Sequence, residues 1–263
     1  MIERLALQRY IQDYLQINNR QVDYGPNGLQ IEGTSSIHKI VTGVTASLAL
    51  IEKAIELGAQ ALLVHHGLFW QKDPYEIIGY RKKRIERAIK ADLNIFGYHL
   101  PLDAHPEVGN NVQLAKILGL EFERHWAIDA SFPTLGWIGQ TANPISLQAL
   151  TNLIAHKLNR APLLISPDLG SKALSDLNTP KIIKIAICTG AAQKFITELP
   201  EDIDVFITGE ASESTTHLAR ELGVHFYAAG HHATERYGIK ALGEHLAAQF
   251  GLSHDFVDID NPI

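Results

Sequence analysis

The stretch Ala61-Leu62-Leu63-Val64-His65-His66-Gly67, "ALLVHHG", decides how this chain is read. Four buried-type residues in a row mark a strand, and two adjacent imidazoles follow them. Neighbours along a strand point to opposite faces, so two histidines inside it would not share a target. The expected solution is a strand that stops at Val64. His65 and His66 then open the next turn, Gly67 lets the chain bend at once, and both rings stand at the mouth of a site.

Outward from this stretch, strands and helices alternate. A helix is expected over 3–16. A turn-rich segment, Tyr24-Gly25-Pro26-Asn27-Gly28, follows it. Residues 39–44 read as a strand, with Ser47 as N-cap and Gly58 as C′ residue of a helix over 48–57. A helix over 84–90 and a strand over 93–98 complete the first block. The last third repeats the order: strands over 184–190, 205–208 and 224–229, helices over 193–199, 214–222 and 239–250, and a final strand over 256–259. This alternation predicts βαβ units and a parallel sheet.

The two blocks read as an internal duplication. "KIVTGV" parallels "KIAICTG", the strand before His65-His66-Gly67 parallels the one before Gly209-Glu210, and the strand before His99 parallels the one before His231. His65 to His99 spans 34 positions and Glu210 to His231 spans 21; the difference of 13 matches an insertion around 68–80. Between the blocks, 126–180 carries five prolines and one expected helix over 147–158, and reads as a separate inserted region.

The chain has 263 residues and a formal net charge of −6. Nucleic-acid binding usually needs a basic surface, so it is not expected here. The one basic run, Arg81-Lys82-Lys83-Arg84, reads first as the solvated start of a helix, with phosphate steering as the other option. No apolar run reaches the ~18 to 20 residues needed to span a bilayer. The N-terminus lacks the pattern of a signal peptide. The single cysteine, Cys188, excludes an internal disulfide and a Cys-rich zinc site. A cytoplasmic protein with no membrane partner is expected.

Ligands of parallel α/β sheets collect beyond the carboxyl ends of the strands. Four groups fall there: His65-His66-Gly67, the segment His99 to His105 containing Asp103, Gly209-Glu210, and Gly230-His231-His232-Ala233-Thr234-Glu235. Each alone has a plain explanation as a turn, a cap or a first-turn carboxylate. His231 and Glu235 are four apart, however, and share one face of a helix that starts there. Two imidazole–carboxylate sets match the needs of a two-metal site, and the donors suit two divalent ions among Zn, Fe, Mn, Ni or Co. Such ions, ~3.5 to 4 Å apart, lower the pKa of a bridging water and clamp a substrate oxygen. Asp103 and Glu235 are the bridging candidates, and His65, His66 and His231 the terminal ones. His99 is either a further ligand or a residue that orients one. No nucleophile elbow or P-loop is present. Cys188 reads as inert core, and Thr189-Gly190-Ala191-Ala192 as a strand-to-helix turn with an anion cradle as the alternative.

The stretches "YGPNGLQIEG", "VTGVTAS", "VHHGLFW", "YHLPLDAHPEVGNN", "FITGEASE" and "FYAAGHHATERYG" resemble the NIF3-like family, also called DUF34, often described as GTP cyclohydrolase 1 type 2 homologues. The likeness is to the short bacterial form. It implies an α/β fold of two intertwined domains with internally duplicated βαβ units. The domains are expected at 1–125 plus 233–263 and at 126–232. It also implies a dinuclear centre whose ligands match His65, His66, Asp103, His231 and Glu235, and a homohexamer, a toroidal trimer of dimers.

The leading function is a metal-dependent hydrolase of a nucleotide-like small substrate, with His99 or His232 handling protons. The alternative is a non-catalytic metal-binding protein: a chaperone, a sensor or a scaffold. A ring around DNA is a weaker third idea, against which the net charge counts.

Overall fold

In the computed structural model of the chain the described residues are 1–18, 22–167 and 178–263. In chain order the elements are β1 (Ile2–Glu3), α1 (Arg4–Tyr14), β2 (Gly28–Ile31), β3 (Ser36–Ile37), β4 (Lys39–Thr45), α2 (Leu48–Glu56), β5 (Ala61–His66), α3 (Gly79–Lys90), β6 (Asn94–Gly97), α4 (Leu100–Asp103), α5 (Asn110–Ile117), β7 (Leu120–Trp126), β8 (Gly136–Thr141), α6 (Leu147–Leu158), β9 (Leu163–Ile165), β10 (Lys184–Ile187), β11 (Val205–Thr208), α7 (Thr215–Leu222), β12 (His225–Ala228), α8 (His231–Phe250) and β13 (Ser253–Phe256). They fall into two compact units, Met1–Gly109 with Arg236–Asp260, and Asn110–Glu235 with Asn261–Ile263. The first junction lies upstream of the expected 125/126 because α5 packs on β7 and β8 of the second sheet.

The first unit holds a five-stranded sheet of order β13-β4-β5-β6-β2. Strands β13, β4, β5 and β6 are parallel, and β2 runs antiparallel to β6. Alternation along the strands builds two apolar layers. Ile40, Ala61, Leu63 and Phe96 cluster with Leu7 and Ile11 of α1 and with Ile239, Leu242 and Leu246 of α8. Val41, Leu62, Val64 and Ile95 cluster with Leu50, Ile51 and Ala54 of α2 and with Ile85 and Ala88 of α3. Each fully buried Val, Leu, Ile or Phe among them contributes roughly 1.5–3 kcal/mol. The Ser47 side chain accepts from Leu50 N at 3.2 Å, as its N-cap role requires.

The second unit holds a six-stranded sheet of order β7-β8-β10-β11-β12-β9. Its centre, β10-β11-β12, is parallel, and β8 and β9 run antiparallel on either side. In both sheets three consecutive parallel strands stand side by side, with an antiparallel edge strand against the third.

The expected parallel sheet is thus corrected to two mixed sheets. Strand β2 lies just past the Gly-Pro-Asn-Gly turn, where four residues show no clear period. The region 126–180 is not separate: β8 and β9 are strands of the second sheet, while 168–177 lies outside the described residues. Helix α8 starts at His231, eight residues before expectation. Strand β13 precedes the expected 256–259 because it is a polar edge strand, Ser253-His254-Asp255-Phe256. Residues Gln193–Glu198 form a 3₁₀ helix. Arg81, from the basic run, is buried in α3, and its guanidinium donates to the carbonyls of Pro74 and Glu76. It therefore braces the preceding loop, which answers the phosphate-steering option for that residue.

Asn94 at the start of β6 is fully buried. Its Oδ1 accepts from Gly33 N at 2.8 Å, and its Nδ2 donates to Thr34 O and Gln60 O at 2.8 and 2.9 Å. Removing the side chain takes away the partner of Gly33 N and that of Thr34 O, while Gln60 O keeps its bond from the backbone N of residue 94 at 3.0 Å. Asn94→Ala is expected to lower unfolding free energy by roughly 2–4 kcal/mol in denaturant titration.

Candidate metal centre

Strand β5 does not stop at Val64. It runs through His66, and Thr45 of β4 pairs with His66 in register. Alternation therefore applies to the histidine pair after all. His65 continues the parity of Ala61 and Leu63, and His66 that of Leu62 and Val64. Each ring is anchored to a different neighbouring strand segment. His65 Nδ1 donates to Tyr98 O, just beyond β6, at 2.9 Å, whereas His66 Nδ1 lies 3.2 Å from Thr45 Oγ1. The ring centroids are 4.6 Å apart. The alternation that was expected to separate the pair instead gives each ring its own support.

Gly67 has a different role from the expected turn. A Cβ there would collide with the side-chain amide of Gln30, whose Oε1 accepts from Leu68 N at 2.7 Å. The glycine makes room for that brace.

His99 follows β6 as the N-cap of α4. Its Nδ1 donates to Asp23 Oδ1 at 2.6 Å, its backbone N donates to Asn27 Oδ1 at 2.8 Å, and Leu100 N donates to Asp23 Oδ2 at 3.0 Å. Burial, the largest single influence, would raise the Asp23 pKa, but the bond and charge of His99 with the bonds from Asn27 and Tyr24 N together outweigh it and hold the carboxyl below its usual 3.8. His65, His66 and His99 each offer a ligand nitrogen within 4.8 Å of the others. Asp103, buried at the end of α4, brings Oδ2 to 3.5 Å from His65 Nε2.

In the second unit, His231 opens α8 and Glu235 follows one turn later. His231 Nδ1 donates to Glu210 Oε1 at 2.6 Å, and Nε2 lies 3.1 Å from Glu235 Oε2. Burial disfavours the imidazolium, yet the two carboxylates override it and raise His231 to about 9. Backbone bonds tie the strand ends together: Gly209 N donates to Gly190 O at 2.8 Å and Gly230 N to Gly209 O at 2.9 Å. Gly190, at φ +68°, lies so close that a Cβ would collide with Glu235 Oε1, and one at Gly209 would press on the His231 backbone. The start of α8 is seated on these glycines.

Other expected groups have structural roles. His105 Nδ1 accepts from Glu107 N and Val108 N at 3.2 Å, while Nε2 donates to Tyr14 O at 3.0 Å. Cys188 is buried. The amides of Thr189, Gly190 and Ala192 donate to Asn111 Oδ1, Thr234 Oγ1 and Thr208 Oγ1, so the turn reading holds and those amides do not cradle an anion. His232 is buried, its backbone N donates to Ile263 O at 3.0 Å, and it belongs to none of the groups of described residues close enough to share an ion. The sequence reading missed Asp23 and Asn27. Asp23 stands immediately before the "YGPNGLQIEG" stretch, and a carboxylate next to a turn-rich segment was its only signal.

These features define a mixed α/β protein with two mixed sheets and buried histidine–carboxylate clusters able to hold metal ions. Residues 3–262 match the family Duf34/NIF3 (NGG1p interacting factor 3), and the chain belongs to it. It is 48% identical over 242 residues to a Vibrio cholerae protein named GTP cyclohydrolase 1 type 2 homolog, covering 92% of both chains. A Yersinia pestis protein of the same name is 45% identical, over 99% of this chain and 100% of that one. Among solved structures, protein ybgI, of unknown function, superposes with a TM-score of 0.88 at 42% identity, and TTHA1606 from Thermus thermophilus with 0.86 at 34%; each comparison covers both chains fully. The fold is therefore NIF3-like. Among the described residues, no helix is long and apolar enough to cross a membrane.

Two outcomes follow from the supports of the cluster. Because the folded pKa of Asp23 is depressed, its contribution to stability is present above about pH 3.8 and lost as pH falls through the folded value. The stability gap between the protein and Asp23→Asn, followed by denaturant titration from pH 7 to pH 3, should therefore shrink with acidification. Gly190→Ala forces Glu235 aside, so it should weaken metal uptake in equilibrium dialysis while leaving the far-ultraviolet circular dichroism intact.

Proposed function

We propose that His65, His66, Asp103, His231 and Glu235 together hold two divalent ions, and that the protein is a metal-dependent hydrolase of a nucleotide-like small substrate. The observation that carries this reading is the common hydrogen-bond pattern of the imidazoles. His65, His99 and His231 each spend Nδ1–H on a carbonyl or a carboxylate. That makes Nε2 the outward nitrogen, available to a metal once any proton on it has left, as in histidines that ligate metals. The nitrogen and oxygen donors, without thiolate, suit Zn, Fe, Mn, Ni or Co.

When bound, the ions would supply an activated water and a Lewis acid for a substrate oxygen. The chain's own residues supply the rest. Glu235 and Asp103 offer carboxylates able to bridge. Asp23 holds His99 in one orientation beside His65 and His66, ready to take or give a proton at Nε2. His232 is the second candidate for proton handling.

The matched strand orders of the two sheets support an origin by duplication. Family resemblance supports a cytoplasmic homohexamer, a trimer of dimers. The exposed apolar run Tyr75, Ile77, Ile78 and Tyr80 supports contact between copies.

Elemental analysis and isothermal titration test the site. Asp103→Asn and Glu235→Gln should each lower metal affinity by at least about 100-fold, beyond the 10–100-fold that changes in outer-shell partners produce. Full occupancy in both variants would overturn the bridging assignment. The metal-loaded protein should open the imidazole ring of GTP or hydrolyse a member of a panel of cyclic amidines, nucleotides and phosphoesters. Tight, exchangeable metal with no turnover across that panel would favour the non-catalytic reading.

A further inference from the structure

Two loops of the first unit carry aromatic side chains to the histidine cluster. Trp70, after β5, stands edge-on to His99 with ring centroids 5.1 Å apart and planes at 89°, and lies 5.9 Å from His66. Tyr24, from the turn before β2, meets His99 edge-on at 6.0 Å. Tyr24 is 54% exposed, although its loop is tightly held. Gln71 N donates to Tyr24 O at 2.8 Å, the Gln71 side-chain amide donates to Asp23 O, and Asn27 Nδ2 donates to Asp23 Oδ2 at 2.8 Å. Gly25 packs so closely on Phe69 O that a Cβ would crowd it, with the Trp70 ring 3.4 Å away. The backbones of the two loops are thus cross-braced.

The braced loops hold two aromatic rings against His99. A tyrosine on a braced loop cannot fold its ring away from water by moving the backbone. Its ring meets His99 alone among the three imidazoles and stays 54% exposed there. A rigid aromatic face next to polar, metal-competent groups is what a flat heterocycle needs, since π-faces stack without regard to substituents.

We propose that Tyr24 and Trp70 form an aromatic wall that stacks the planar nitrogen heterocycle of the substrate beside the His65–His66–His99 cluster. The inference rests on the hydrolase reading of the same site and narrows its substrate class to compounds bearing a purine-sized ring. Binding to the wall needs no turnover, so the two readings fail separately.

The test is intrinsic fluorescence of the metal-loaded, full-length protein. Trp126 and Trp137 are buried, at 7% and 3% exposure, which leaves Trp70 as the tryptophan most open to a ligand. Guanosine and GTP should each quench emission saturably, whereas inorganic triphosphate should not. Trp70→Phe should abolish the change. Tyr24→Leu should weaken nucleoside binding by about tenfold or more, the loss expected of one stacking partner, and Tyr24→Phe should retain it. Circular dichroism and metal content of each variant report that fold and site are kept. Nucleoside binding without turnover supports the wall and removes the hydrolase. Turnover of a substrate that has no ring, with no guanosine or adenosine binding, overturns the wall and keeps the hydrolase. Equal guanosine affinity in Tyr24→Leu and the unaltered protein also overturns the wall.

Discussion

Nδ1–H hydrogen bonds behind the imidazoles are the constraint on which the candidate centre depends. A neutral histidine presents one lone pair, and its direction is set by whatever holds the other nitrogen. Here the holders are Tyr98 O for His65, Asp23 for His99 and Glu210 for His231. None of the three holders is itself a candidate ligand. Each sits next to a strand end: Tyr98 just beyond β6, Glu210 two residues beyond β11, and Asp23 on the loop leading into β2. The sheets therefore fix the imidazoles indirectly, by fixing the acceptors. The two bonds to carboxylates contribute roughly 1.5–3 kcal/mol each and the one to the Tyr98 carbonyl roughly 0.5–1.5 kcal/mol, enough to hold a ring in one rotamer.

The same logic explains the glycines. A helix or side chain that must approach a strand end closely leaves no room for Cβ atoms. Gly67 and Gly97 yield to Gln30 in the first unit, and Gly190 and Gly209 to Glu235 and His231 in the second. In the sequence these residues look like ordinary turn formers. Only the packing reveals that most of them are spacers, with Gly190 serving as both spacer and left-handed turn.

What was legible in the sequence follows from which signals are local. The apolar runs over β4, β5, β6, β10, β11 and β12 are visible because inner strands are apolar throughout. So are the caps at Ser47 and Gly58, and the i, i+4 pair His231 and Glu235, which is a property of one helix. The edge strands β2 and β9 were lost and β13 was placed three residues late, because a short, partly exposed strand has neither a period nor an apolar run. The end of β5 was misplaced for a related reason. Histidine is a poor marker of strand, so the chain looked finished at Val64, although the ladder to β4 continues to His66. Asp23 was lost because its partner, His99, lies 76 positions away. No spacing rule reaches across such a distance. A carboxylate whose work is to hold another side chain has no pattern of its own.

The second cluster shows why its carboxylates are not simply a cost. Two carboxylates around one imidazole, largely out of water, would repel each other and lose hydration. Burial favours a neutral ring, but Glu235 and Glu210 prevail and raise His231 to about 9. Without an ion, the proton on Nε2 is thus the cation that balances Glu235. A metal ion needs that nitrogen neutral, so it must take the place of the proton, not merely join it. The proton and the ion then compete for the same lone pair, which Glu210 makes more basic from behind. Greater basicity strengthens both competitors, but a divalent ion carries twice the charge and accepts further donors, so it gains more from the carboxylate than the proton does. A carboxylate on each side of one imidazole is therefore an arrangement that tolerates the metal-free state while favouring the loaded one.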